Sequence, residues 1–241
     1  MAGHSKWANI KHRKSANDAK RGKLFGKLVK EITMAAKQDG PAPESNPRLR
    51  LAVQNAKSAN LPKENIERAI KKGSSRDATT YTEVTYEGHA THGVAVIVAC
   101  MTDNLNRTVS TVRAVFAKHG GNLGKSGALA FLFDRKGVFT IKKGVTTNEE
   151  ELTLAMIEAG AETIEPEEEL FHITCPLETF GHVQRSLEAM QVTIEDAALE
   201  YMPRTFVSLP KDVATQVTKL IDALEELDDV HNVFHNMALS S

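Results

Sequence analysis

The chain has 241 residues, of which 41% are hydrophobic and 25% charged, and its net charge is −1. That is the make-up of an ordinary globular protein, long enough for one large domain or two to three small ones. No apolar run approaches the roughly 18 residues of a membrane span, and the basic N-terminus lacks the apolar core of a secretory signal.

The near-zero net charge hides an asymmetry. Residues 1–76 hold 18 Lys and Arg against 6 Asp and Glu, a balance of +12, whereas residues 77–241 hold 12 against 25, a balance of −13. Such a basic head favours a polyanionic partner, and the acidic body disfavours one. The two cysteines, Cys100 and Cys175, lie in apolar strand-like runs. Buried thiols in a reducing cytoplasm are therefore expected, not a disulfide framework.

Residues 1–15 have no apolar periodicity and read as an extended arm. Trp7 lies among Lys6, Lys11, His12, Arg13 and Lys14, which pairs a stacking surface with phosphate-neutralising charge. A solvated tail with Trp7 folded back onto the head is the alternative. A helix is predicted over 17–38, with Leu24, Phe25, Leu28, Val29, Ile32, Ala35 and Ala36 on one stripe. Lys20, Arg21, Lys23, Lys27 and Lys30 add positive charge, the lysines mainly on its other faces. Asn46-Pro47 reads as N-cap and first position of a second helix. A third runs from Pro62 to Gly73 and offers Lys63, Asn65, Arg68, Lys71 and Lys72. The short turn between these two helices permits a groove-reading helix-turn-helix, although a plain helical hairpin has the same spacing.

Beyond a polar linker at 74–80 the texture becomes alternating. Strands are predicted at 81–87 and 94–101, a helix at 105–118, and strands at 128–133 and 138–142 around a turn at 134–137. A helix at 148–159, strands at 162–164 and 170–175, a helix at 177–190 and a strand at 192–201 complete a β-α-β-β-α-β unit. A strand within 204–209, a helix at 211–227 and a strand at 230–235 remain. The expected fold is therefore α+β: an N-terminal helical bundle, then two ferredoxin-like α/β domains, one inserted in the other. The boundaries are 1–15 for the arm, 16–76 for the bundle, 77–136 plus 204–241 for the outer domain and 137–203 for the acidic insert.

Catalytic readings find little support. Gly124-Lys125-Ser126 has a histidine, His119, where a phosphate-binding loop needs its first glycine, and it follows a helix where that loop follows a strand. His89 with His92, and His231 with His235, lack a third and fourth metal ligand nearby. No nucleophile–base pair is identifiable. No cofactor or metal is expected, and the chain reads as non-enzymatic. Asp103-Asn104-Leu105-Asn106-Arg107-Thr108 opens a helix after a buried strand; Asn, Arg and Thr there could hold an anion, or Asp103 or Asn104 could simply cap the helix.

Three stretches resemble the YebC family of bacterial transcriptional regulators, whose mitochondrial relatives are translational activators. They are Gly3-His4-Ser5-Lys6-Trp7 with Ile10-Lys11-His12, then Leu61–Ile70 from Leu-Pro-Lys-Glu-Asn-Ile onward, and Met101–Thr108 running into Lys118-His119-Gly120-Gly121-Asn122-Leu123-Gly124. The resemblance implies a DNA-binding regulator; a ribosome-associated translation factor binding ribosomal RNA through the same arm is the alternative. It favours a functional role for Arg107. Two departures stand out. His89-Ala90-Thr91-His92-Gly93 replaces a usual Gly-Pro-Gly-Gly loop, and Leu105 stands where Lys is usual. The expected nucleic-acid-binding residues are Lys6, Trp7, Lys11, His12, Arg13, Lys14, Lys20, Arg21, Lys23, Lys63, Arg68 and Arg107, in a cytoplasmic protein with no membrane partner.

Overall fold

The computed structural model describes residues 21–144, 148–167 and 169–240. Three helices form the head: α1 (Arg21–Asp39), α2 (Pro47–Ser58) and α3 (Lys63–Gly73). The Asn46 side chain accepts from the Leu49 amide at the start of α2, with Pro47 in the first turn, as the sequence predicts. Ile32, Ala35 and Ala36 of α1 bury against Leu49, Ala52, Ala56, Leu61, Ile66 and Ala69. The small side chains let the helices approach closely.

Sheet A has the order β3-β1-β2-β9, with β1 (Thr82–His89), β2 (Ala95–Thr102), β3 (Asn122–Leu123) and β9 (Val230–His235). Helices α4 (Leu105–Lys118) and α7 (Lys211–Glu225) bury Val112, Phe116, Val217, Leu220 and Leu224 against Val96, Val98 and Val233. Sheet B has the order β5-β6-β4-β7, with β4 (Phe133–Lys142), β5 (Thr163–Glu167), β6 (Leu170–Cys175) and β7 (Ile194–Pro203). Helices α5 (Glu149–Glu158) and α6 (Phe180–Ala189) supply Leu152, Met156, Val183 and Leu187 to its core. Sheet B has the split β-α-β arrangement of a ferredoxin-like sheet. Sheet A carries one such unit, β2-α4-β3, and takes α7 and β9 from the far end of the chain. β8 (Val207–Leu209) leaves that sheet and pairs in parallel with β10 (Met237–Leu239), a strand that the sequence pattern does not predict.

The expected strand at 128–133 and turn at 134–137 do not form. The Glu87 carboxylate accepts from the Gly127 and Leu129 amides at 2.8 and 2.6 Å and folds that segment into tight turns. Leu129 is buried and Phe131 is 67% exposed. The polar tetrad 134–137 is instead continuous strand. Residues 133–136 pair with β7 alone, and β6 joins only from Gly137 onward, so charged side chains remain at the open edge. Gly137, read as a turn residue, is there for space: a Cβ would lie 2.5 Å from the Phe180 ring and 2.7 Å from the Cys175 sulfur. The departing loop before β2 keeps its sharp bend, with His92 at φ 61° and Gly93 at φ 75°.

The head touches both domains. Asn55 Nδ2 donates to the Ala197 carbonyl at 2.8 Å, and the Ala197 amide donates to Asn55 Oδ1 at 3.2 Å. One amide side chain thus satisfies a position on the open edge of β7 as a neighbouring strand would. Ser58 adds a bond to the Ile194 carbonyl at 3.1 Å, and Leu51 packs on the core of sheet B.

Candidate nucleic-acid interface

Lys6, Trp7, Lys11, His12, Arg13, Lys14 and Lys20 lie outside the described residues. Arg21 opens α1, and its side chain is likewise not described. The rest fall into three groups.

The α1 lysines turn inward, towards the body. Lys23 donates to the carbonyl and the carboxylate of Glu226, Lys27 to the Glu225 carbonyl at 3.3 Å, and Lys30 to the Asp228 carbonyl at 2.7 Å. The Glu225 and Glu226 carbonyls end α7, where uncapped carbonyls and the helix dipole favour cations, and Asp228 lies in the turn that follows. Beside the contact lies a cleft of about 690 Å³, lined on one side by α1 and on the other by Tyr81, Arg107, Thr111 and the 227–230 loop.

Arg107 belongs to a second group, centred on a residue that sequence reasoning missed. Asp229 accepts from Arg107 Nη2 and Thr108 Oγ1, both at 2.8 Å, and from Thr102 Oγ1 at 3.2 Å, with Lys30 at 3.5 Å. Arg107 also donates to Asp103 at 2.7 Å, while Asn104 caps α4 by accepting from the Arg107 amide at 3.0 Å. Burial would raise the Asp229 carboxyl, but the hydrogen bonds from Arg107 and Thr108 and the Lys30 charge outweigh it and hold the group below the usual carboxylate range. The Met101–Thr108 stretch thus carries its own internal anion. Asp229 lies more than a hundred residues away in the chain, so no local pattern could have found it.

Helix α3 forms the third group. It buries Ile66, Ala69 and Gly73 and turns Lys63, Arg68, Lys71 and Lys72 to solvent. Lys63 stands 3.7 Å from Glu67 one turn along. Arg68, Lys71 and Lys72, with Arg76 just beyond the helix, are exposed and have no ion pair among the described residues.

The Gly124-Lys125-Ser126 loop bonds the Glu87 backbone carbonyl through the Gly124 amide and leads into Gly127 and Leu129, whose amides donate to the Glu87 carboxylate. Burial pushes the Cys100 thiol up to about 12 and the Cys175 thiol up to about 11, so neither supplies a thiolate at neutral pH. Among the described residues no helix is long and apolar enough to cross a membrane, and no three His, Cys, Asp or Glu side chains are grouped as a metal would need.

His231 sits beneath the head. Its surface is only partly covered, yet protein surrounds the ring deeply enough that burial lowers its pKa below 6.5; Lys27 and Arg48 lower it further, against the carboxylates of Glu31 and Glu83. The unfolded chain then binds the extra proton first. Stability is therefore fully present above pH 6.5 and declines as the pH falls below it. His231→Asn is expected to flatten this part of the profile, read as the difference from wild type in urea unfolding on either side of that pH. An unchanged profile would show that the ring titrates as it does in the unfolded chain.

A basic helical head that contacts two α/β domains, the inserted one strongly acidic, and that turns Arg68, Lys71 and Lys72 to solvent defines the class: a three-domain α+β protein with a segregated charge distribution. Residues 5–76 match the family model for the TACO1/YebC protein N-terminal domain, and residues 81–237 match that for the TACO1/YebC second and third domain. The chain belongs to the TACO1/YebC family. A probable transcriptional regulatory protein of Amoebophilus asiaticus is 60% identical over 240 residues, 99% of this chain and 98% of that protein. One from Geobacillus sp. strain WCH70 is 52% identical over 239 residues, 98% and 97% of the two. The crystal structure of a conserved hypothetical protein, Aq1575 of Aquifex aeolicus, superposes with a TM-score of 0.82 at 49% identity, covering 93% of each chain.

Proposed function

We propose that the protein is a non-enzymatic, cytoplasmic regulator of gene expression that binds nucleic acid through its basic head, with DNA as the first-choice ligand. The observation that carries this reading is the exposed cationic face of α3, whose Arg68, Lys71 and Lys72 have no ion pair among the described residues, on a head of charge +12. The arm residues Lys6, Trp7, Lys11, His12, Arg13 and Lys14, with Lys20 and Arg21, extend the same charge. Relatives named as probable transcriptional regulatory proteins support the regulatory role and favour DNA. The inserted domain, with 3 Lys and Arg against 14 Asp and Glu, repels a polyanion and so favours its binding on the head.

Ultraviolet crosslinking in growing cells, followed by sequencing of the attached DNA and RNA, tests the reading. Enrichment upstream of genes is the expected result. Enrichment on one region of ribosomal RNA would replace the DNA ligand by RNA and make the protein a translation factor. In vitro, changing Lys11, Arg13 and Lys14 to Ala is expected to weaken binding and to reduce the salt slope by about 0.7–0.9 for each phosphate no longer neutralised. Wild-type affinity and slope would remove the arm from the interface.

A further inference from the structure

Lys23, Lys27 and Lys30 form a row about 10 Å long on α1. Each meets an acceptor at the end of α7 or in the turn that follows: the Glu226 carbonyl and carboxylate, the Glu225 carbonyl, and the Asp228 carbonyl with Asp229. A line of negatively polarised oxygens matched to a lysine row is what a nucleic-acid backbone also presents. The contact is polar. The buried apolar cluster of the head draws on residues of the head alone, and that of sheet A contains no head residue. Contacts that join them include the lysine row, the Arg48–Glu83 pair at 2.6 Å, the Lys37 bonds to Ala78 and Thr80, and Lys30 over the Tyr81 ring at 5.6 Å. The Lys23 and Glu226 side chains remain 40% and 48% exposed, and exposed pairs contribute little each. The apolar and amide contacts of α2 lie instead against β7 and sheet B.

We propose that the end of α7 is an internal competitor for the head's polyanion ligand. In the closed chain it occupies Lys23, Lys27 and Lys30. A nucleic acid that takes these lysines releases α1 from the outer domain, while α2 stays on β7 as the pivot. The idea rests on the reading of the head as a nucleic-acid-binding module, and it adds that binding and docking use the same charges. It also gives the cleft a role, because Lys23, Lys27 and Lys30 all line it.

The test uses the full chain with Glu226→Gln and Asp228→Asn, which removes the carboxylate that meets Lys23 and a second negative charge beside Lys30, whose bond to the Asp228 carbonyl is kept, and leaves Asp229 and the head intact. A 30-nucleotide single strand and a duplex of the same length serve as probes. The double variant is expected to bind roughly three- to tenfold tighter, with the gain shrinking as salt rises. In the wild type, bound oligonucleotide is expected to speed amide hydrogen exchange over 225–230. Unchanged affinity together with unchanged exchange, in a wild type that binds, overturns the competitor and leaves the head's function standing. If wild type and variant both fail to bind, the nucleic-acid reading fails by itself. Inorganic polyphosphate then decides the latch: faster exchange over 225–230 supports a polyanion-released contact, and no change overturns it.

Discussion

Replacing Asp229 with Ala is expected to destabilise the protein by about 1–2 kcal/mol, the loss of charge-assisted hydrogen bonds at a half-exposed site. For a chain of this size that lowers the thermal midpoint by roughly 2–8 °C. The reason is the number of donors that converge on one carboxylate. The Thr102 and Thr108 hydroxyls are buried, and both point at Asp229 along with the Arg107 guanidinium. Removing the acceptor leaves Arg107 with Asp103 and the two hydroxyls with each other and the Asn104 carbonyl, so the loss is that of the shared charge-assisted bonds and not of every partner. Thermal unfolding of Asp229→Ala beside Asp103→Ala separates the two partners of Arg107. The Asp103 carboxylate is exposed and its loss is expected to shift the midpoint little. Equal, small shifts in both variants would mean that Asp229 is no hub. Acid titration gives the same answer by another route. The Asp229 carboxyl is held low, so its contribution is present above pH 3.8 and disappears as the pH falls through its folded value.

Arg68, Lys71 and Lys72 changed together to Ala are expected to weaken nucleic-acid binding on the order of 10²-fold at 0.1 M salt and to reduce the salt slope by about 2–3. These side chains are exposed, unpaired among the described residues and carried by a helix that tolerates Ala well, so the fold should be unchanged by circular dichroism. Lys63→Ala alone is expected to do less, since Lys63 already faces Glu67. Affinity measured by fluorescence anisotropy across a salt series checks both. A triple variant that binds like wild type would place the interface on the arm and relegate α3 to an ordinary solvated surface.

Much of the fold is legible because its signals are local. Asn46-Pro47 starts α2, the spacing of Ile32, Ala35 and Ala36 gives α1 its buried stripe, and the apolar run after Gly93 gives the central strand of sheet A. The Leu105–Lys118 helix and the Leu170–Cys175 and Val230–His235 strands form at their expected bounds. The failures share one cause. Residues 128–133 read as strand because they are apolar, yet Glu87, some forty residues earlier, supplies the acceptor that folds them into turns. Residues 134–137 read as turn because they are polar and end in Gly, yet β7 pairs with them and the Phe180 ring needs the space at Gly137.

The site divides in the same way. Composition alone determined that the head is basic and the body acidic, because charge is counted without knowing geometry. The family stretches at the head and at Met101–Thr108 were visible as residues in order. Only the tertiary structure decided what each charge does. Lys23 docks on the end of α7, Arg107 closes onto Asp229, and Arg68, Lys71 and Lys72 face solvent; in the sequence all of them are simply cations. A side chain's electrostatic role depends on which oxygen comes within about 3 Å of it, and the folded chain brings those oxygens from one hundred to two hundred residues away.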